Sequence, residues 1–435
     1  MSTINFKHFS RFNEVYENPY KFFCDYLEGN INFSDIKKKC MAGKINSETR
    51  SFIYKMLLNI LPYNDQNSWK NIVKNQRNLY FTKLNNLLSK DENILKFINC
   101  HAVKGTKAYE DLFRLIPVEI KEILSLIKLD VNRTFQDLDF FQNKKIKELL
   151  TKILFVYSID NPHPSYCQGM NEILGTLFLS FYPSLIYNKF SKEEIENENN
   201  ETITDKEKLY YYLFSDEFFE ADLYTIYVEL MSRDLTILYT YNDDKYKNVA
   251  KNPNEDLNNL SIDDINRSEE SDLIKRIKKI FYIYLKTDKE YFDVLVKNIE
   301  PNIFLLRWIL CMLNREISLK NILYIWDCIF FYEFMEFTFK NDKNENNDKN
   351  ENNENNDKND LINDKKIKKS RLNFLDFICL AMIFDLKKEI INSEPSVILC
   401  KFLKYPNEKN MKKIMKSAFK YSKSFNEGNN IWNLE

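Results

Sequence analysis

Apolar residues recur at i, i+3, i+4, i+7, i+8 and i+11 in the run Ile146, Leu149, Leu150, Ile153, Leu154 and Tyr157. That spacing puts all of them on one face of an α-helix. Met170, Ile173, Leu174, Leu177, Phe178 and Phe181 repeat it, and Ile322, Ile325, Trp326, Ile329 and Phe330 repeat it again behind an N-cap at Ser318. Pro117, Pro162, Pro164, Pro183 and Pro301 fall where such helices should begin or end. No series of alternating strands with Asn-Gly or Asp-Gly turns competes with this pattern. The chain is therefore expected to be all-α and multi-helical, without a repeat of fixed period. Its 435 residues, 44% apolar, can bury a sizeable core.

Three stretches break the pattern. Residues 341–360 hold only Asn, Asp, Glu and Lys, ten of them Asn, so they have no apolar surface to offset the entropy of ordering. A low-complexity insertion is expected over 338–368, and the polar segments 188–208 and 241–271 are expected as long surface loops.

Several function classes are excluded by composition. Sixty-three Lys and Arg balance sixty-four Asp and Glu, a formal charge of -1, which gives no global field for nucleic acid or an anionic surface. The eight Cys form no C-x-x-C pair and the three His lie far apart, so a reduced, cytoplasmic chain with no structural metal is expected. With six Gly there is neither a G-x-G-x-x-G turn nor a G-x-x-x-x-G-K-[ST] loop, hence no standard cradle for a nucleotide of its own. The opening MSTINFKHFSRF lacks a continuous apolar leader, and Arg307 interrupts the apolar run 303–313 well short of the roughly 20 residues a bilayer span needs.

Two segments set polar groups in apolar surroundings. One is Ile127-Lys-Leu-Asp130-Val-Asn-Arg133-Thr-Phe135. The other is Asn161-Pro-His-Pro-Ser-Tyr166-Cys-Gln168-Gly-Met170-Asn171-Glu172-Ile173-Leu174. Read as residues alone, Arg133 is either a site residue or a surface arginine paired to Asp130 three positions back. Asp130 is either its support or a helix cap. Gln168 is either a site residue or the N3 member of a capping box that starts at Ser165.

These segments resemble the I-x-x-D-x-x-R and Y-x-Q motifs of TBC domains, the GTPase-activating domains for Rab GTPases. Arg50-Ser-Phe-Ile-Tyr54, Leu61-Pro62, Trp69, Arg77 and Tyr80 look like the opening R-x-x-x-W segment of that family. Glu220-Ala-Asp222, Ile299-Glu-Pro301, Phe304, Arg307-Trp308 and Ile325-Trp326-Asp327 look like its later signature positions, in the same order. The resemblance is similar to the subgroup in which I-L-F-V-Y precedes Y-x-Q-G-M-N-E-I-L, and it covers about residues 38–405. It implies an N-terminal extension over 1–37, a TBC domain over 38–405 and a C-terminal helical tail over 406–435. One departure is Tyr54 in place of the usual Trp, which keeps the aromatic bulk and adds a hydroxyl needing a partner.

The resemblance implies that Arg133 is an arginine finger and Gln168 a glutamine finger. Guanidinium stays charged and presents planar bidentate donors to phosphoryl oxygens, while a carboxamide can hold the attacking water without adding negative charge. Asp130, Tyr166, Asn171 and Arg50 are expected as supports. Trp308 and Trp326 are expected in the core. No cofactor is expected on this chain, because GTP and magnesium would belong to the partner, a GTP-bound Rab-type GTPase. A role in vesicle trafficking follows, with recruitment to endomembranes through that partner. A module that binds the GTPase as an effector or scaffold without accelerating hydrolysis is the alternative, and it would be expected to lose one finger.

Overall fold

A computed structural model describes residues 18–183, 203–242, 257, 261–350, 374–406 and 409–426. Among them there is no strand, and the all-α expectation holds. The first half is built from α1 (Pro19–Leu27), α2 (Phe33–Ala42), α3 (Ser47–Leu57), α4 (Trp69–Leu88), α5 (Glu92–Ile98), α6 (Lys107–Leu115), α7 (Val118–Arg133), α8 (Lys144–Asp160) and α9 (Met170–Phe181). Then come α10 (Asp205–Leu213), α11 (Phe219–Leu230), α12 (Ile262–Arg267), α13 (Asp272–Thr287), α14 (Lys289–Asn298) and α15 (Asn302–Leu310). The last are α16 (Leu319–Asn350), α17 (Phe374–Asp385), α18 (Pro395–Leu403) and α19 (Met411–Asn426).

Local chemistry explains the helix ends. The Asn32 carboxamide accepts from the amides of Ser34 and Asp35 at 2.8 and 3.2 Å, and the Asp35 carboxylate accepts from the Asn32 amide at 3.2 Å, closing a capping box on α2. Gly43 ends the same helix at φ 62, the left-handed conformation glycine adopts without strain. At α16 the Ser318 carbonyl accepts the Ile322 amide at 2.9 Å, so the helix begins where the apolar spacing places it.

The buried side chains form one continuous cluster from Phe22 to Ala418. Trp308 and Trp326 lie within it, each donating its indole N–H to a carbonyl, Phe402 at 3.0 Å and Met312 at 3.2 Å. The boundaries at 37/38 and 405/406 do not mark edges of this core. Phe22 and Phe23 of α1 are buried against Phe52, and Met411, Ile414, Met415 and Ala418 of α19 are buried, the helix lying along α17. Motif order located the ends of the resemblance; the amphipathic faces of α1 and α19 locate the ends of the core.

The insertions also differ from expectation. Segment 241–271 contains α12, whose Ile265 is buried, and segment 188–208 ends inside α10, which opens on a Thr204–Glu207 capping box. Helix α16 continues through 341–350, because a helix already nucleated in packed apolar residues extends into polar ones at little cost per residue. Residues 351–373 lie outside the described residues, as do 188–202 and most of 243–260.

Two buried ion clusters tie distant parts of the chain. Arg50 of α3 forks onto Asp327 of α16, Nε to Oδ1 at 2.9 Å and Nη2 to Oδ2 at 3.2 Å, and also donates to the Ile45 carbonyl. Burial pushes the Asp327 carboxyl up, opposed by the Arg50 guanidinium. In the second cluster Asp222 of α11 receives both Lys55 at 3.0 Å and Arg77 at 2.7 Å.

The Tyr54 hydroxyl finds its partner in the first cluster, donating to Asp327 Oδ1 at 2.8 Å. Tyr54→Phe keeps the ring contact with Phe330 and removes only this donor to a buried carboxylate. It is expected to lower the unfolding free energy by about 1.5–3 kcal/mol in urea titration.

Candidate functional site

Helix α7 ends on Arg133, and its last turn carries Asp130, which is fully buried. Thr134 is buried too, and Phe135 turns the chain sharply at φ 44. The second segment leaves α8 at Asp160 and reaches Gly169, whose φ of 105 sets the start of α9 at Met170. A Cβ at Gly169 would stand 3.0 Å from Cys311 Sγ and 3.5 Å from the Tyr239 hydroxyl. Glycine is required there for space as well as for conformation.

A hydrogen-bond network joins the two segments. The Asp130 carboxylate accepts from Arg133 Nη2 on one oxygen and from the Tyr166 hydroxyl, at 2.8 Å, on the other. Tyr166 has one proton to donate, and Asn171 Oδ1, 3.2 Å away, instead accepts the Gly169 amide at 3.2 Å. The Asn171 amide nitrogen donates to Thr134 Oγ1 at 2.9 Å and to the Asp130 carbonyl at 3.3 Å. Thr134 Oγ1 in turn donates to that carbonyl at 2.9 Å. Burial, and then the adjoining Asp130 charge, push the Tyr166 phenol well above its ordinary range, so it stays a donor.

At the rim of this buried network stand the two candidate fingers. Arg133 is 43% exposed while its partner Asp130 is 0% exposed, so a partly exposed guanidinium is anchored through one nitrogen on a buried carboxylate. Gln168 is exposed, and its side chain makes no hydrogen bond among the described residues. The pairing of Arg133 with Asp130 is present, yet it is not a solvated surface pair, because its carboxylate belongs to the core.

Three readings of the sequence need correction. Asp130 is not a helix cap: it lies inside the last turn of α7 and bonds Arg133 and Tyr166. Ser165 does not cap α9, which starts later at Met170, and its hydroxyl donates to the Ser158 carbonyl at 3.3 Å. Gln168 therefore precedes the helix and closes no capping box. Arg50, expected as a support, is committed to Asp327 and joins no hydrogen bond of the Asp130 network. Tyr166 and Asn171 both join that network, through Asp130 and Thr134.

Thr134, Gly175 and Arg315 complete the site and were not singled out in the sequence. Arg315 donates Nε to Glu172 at 2.6 Å, tying the start of α9 to the turn after α15, and burial raises the Glu172 carboxyl against that pull. Gly175 carried a signal, being one of six glycines in the chain and lying inside a strongly apolar helical run. A Cβ there would meet Phe135 Cε2 at 2.8 Å and Thr134 Cγ2 at 2.9 Å. Gly175→Ala should lose about 1–2 kcal/mol in urea titration, since overpacking of about 1–3 kcal/mol outweighs the gain in helix propensity of up to about 1 kcal/mol.

Among the described residues no group of three His, Cys, Asp or Glu is placed to hold a metal ion, and no helix is long and apolar enough to cross a membrane. What the arrangement offers is a fixed guanidinium and a free carboxamide on adjoining segments. Both are donors of the kind that meet phosphoryl oxygens and water.

A family model for the Rab-GTPase-TBC domain matches residues 47–344. TBC1 domain family member 5 of Homo sapiens is 26% identical over 344 residues, covering 72% of this chain and 38% of that protein. Its Mus musculus counterpart is 25% identical over 330 residues, covering 69% of this chain and 36% of that protein. The chain thus spans less than two fifths of the length of these relatives. GTPase-activating protein GYP1 of Saccharomyces cerevisiae is 24% identical over 206 residues, covering 46% of this chain and 26% of that protein. The crystal structure of the Ypt/Rab-GAP domain of Gyp1p superposes with a TM-score of 0.54 at 16% identity, over 91% of this chain and 94% of that one, a likeness of fold.

Proposed function

Because the chain belongs to the Rab-GTPase-TBC domain family, we propose that it accelerates GTP hydrolysis on a Rab-type GTPase by lending two side chains to the partner's site. The observation that carries this reading is the pairing of a buried anchor with an exposed cation: Asp130 is fully enclosed, while Arg133 is nearly half exposed. An arginine held this way meets a phosphate in a restricted set of orientations, so less rotamer entropy is lost when it does.

Arg133 spreads its free donors over the phosphoryl and leaving-group oxygens as negative charge builds there. Gln168 reaches the opposite side of the γ-phosphate, accepting from the water and donating to a phosphate oxygen. Asp130, Tyr166, Asn171 and Thr134 do no chemistry; they fix the two segments relative to each other. The nucleotide and its magnesium reside on the partner, and the chain supplies neither. Residues 38–405 remain our assignment for the activating region, with α1 and α19 completing its core.

The test is a single-turnover phosphate-release screen against a panel of GTP-loaded Rab proteins. Acceleration on one or a few members supports the reading. Tight binding to a GTP-loaded Rab with no acceleration on any member would identify an effector instead.

A further inference from the structure

Helix α19 carries Lys412, Lys413, Lys416, Lys420 and Lys423 in sixteen residues and contains no Asp or Glu. At 3.6 residues per turn these five lysines fall within an arc of about 100°. All five are exposed. Met411, Ile414, Met415, Ala418 and Ser422 occupy the opposite side and are buried. The separation is unlike that of neighbouring lysines. Lys401 is paired with Glu389 at 2.5 Å and Lys409 with Asp385 at 3.0 Å, whereas Lys412, Lys413, Lys416 and Lys420 have no ion pair among the described residues. At its N-terminal end the stripe borders a cleft of about 400 Å³, lined by Lys320, Tyr324 and Lys412 among others.

We propose that this face of α19 docks directly on an anionic lipid bilayer, independently of any GTPase. The chain as a whole is charged at only -1, so the attraction is local to this stripe and orients the molecule as it binds. From Lys412 to Lys423 the stripe runs about 16 Å along a straight helix, and a bilayer presents anionic headgroups along that whole length at once. The stripe has point charges without arginine forks or exposed stacking rings, the equipment that reads base edges or grips single strands. A headgroup layer needs only the point charges. Each lysine near an anionic leaflet raises partitioning roughly fivefold, so the four unpaired ones together account for several hundred-fold.

The experiment is co-sedimentation of the full chain with vesicles of phosphatidylcholine, with and without about one-third phosphatidylserine, at about 0.1 M salt, where charges remain coupled over about 10 Å. Binding to the anionic vesicles alone is expected, falling several hundred-fold in K412Q/K413Q/K416Q/K420Q. K74Q/K90Q/K104Q removes a similar amount of positive charge from elsewhere on the surface and should bind as the parent does. Circular dichroism melts of both variants check that α19 stays packed. Equal binding by the stripe variant and the parent overturns the proposal, as does equal binding to neutral vesicles. Tighter binding to an RNA or DNA duplex than to the anionic vesicles at the same salt overturns it too, assigning the face to nucleic acid. Because no GTPase is present, failure here leaves the hydrolysis reading untouched.

Discussion

Replacing Arg133 with Ala is expected to lower stimulated GTP hydrolysis by roughly 10³ to 10⁵, the contribution of a guanidinium at the transition state in GTPase systems. The fold should survive. Arg133 is 43% exposed, so water can reach the position its guanidinium leaves, and Asp130 keeps the Tyr166 hydroxyl at 2.8 Å. Arg133→Lys should fail almost as badly, since an ammonium can hold Asp130 or a phosphate oxygen but lacks the planar fork to hold both. The measurements are single-turnover hydrolysis and thermal unfolding on the same preparations. Near-normal stimulation by a well-folded Ala variant would remove Arg133 from the mechanism.

The second large effect is at Gln168. Gln168→Ala should slow stimulated hydrolysis by roughly 10² to 10³, the scale of losing one preorganised polar group at a transition state. It should leave the melting temperature unchanged, because the side chain is exposed and bonds nothing within the chain. If Gln168 positions the water as proposed, a Rab whose own switch glutamine is replaced by Ala should still respond to the parent protein and should not respond to Gln168→Ala. Gln168→Glu is a sharper probe: it keeps size and acceptor but brings a carboxylate to the γ-phosphate, where like charges repel. A fully active Glu variant would leave Arg133 as the sole catalytic group.

The fold and the site were legible in the sequence to different degrees. The apolar period marked α9 to the residue, because a run buried on nearly every side leaves little choice of register. The two motifs placed Arg133, Asp130, Tyr166, Gln168 and Asn171 around one site. Their division of labour was less visible, because Ser165-Tyr-Cys-Gln168 also fits a capping box. The deciding residue is Gly169, whose left-handed backbone breaks the chain before α9 can start. Arg50 read as a support because its motif accompanies the others, but its partner Asp327 lies 277 positions away, and a contact at that separation has no local signature. Thr134 and Gly175 were missed for a related reason. Their importance comes from one helix lying against the next loop, and only the packed structure brings Phe135 within 2.8 Å of where a Cβ at Gly175 would be.

The fork between Arg50 and Asp327 also bears on how such a chain emerges from the ribosome. At roughly 5 to 20 residues per second, the 277 positions between them take about 14 to 55 s to synthesise. For that interval α3 has made its cation but not the carboxylate that neutralises it, and Lys55 and Arg77 likewise wait for Asp222. Burying a guanidinium without its carboxylate is costly, so closure of the pocket around Arg50 is unfavourable until Asp327 is present. The fork that joins α3 to α16 can form only once α16 has been made. Premature collapse is thereby discouraged by charge, and the last long helices act as the closing step of assembly.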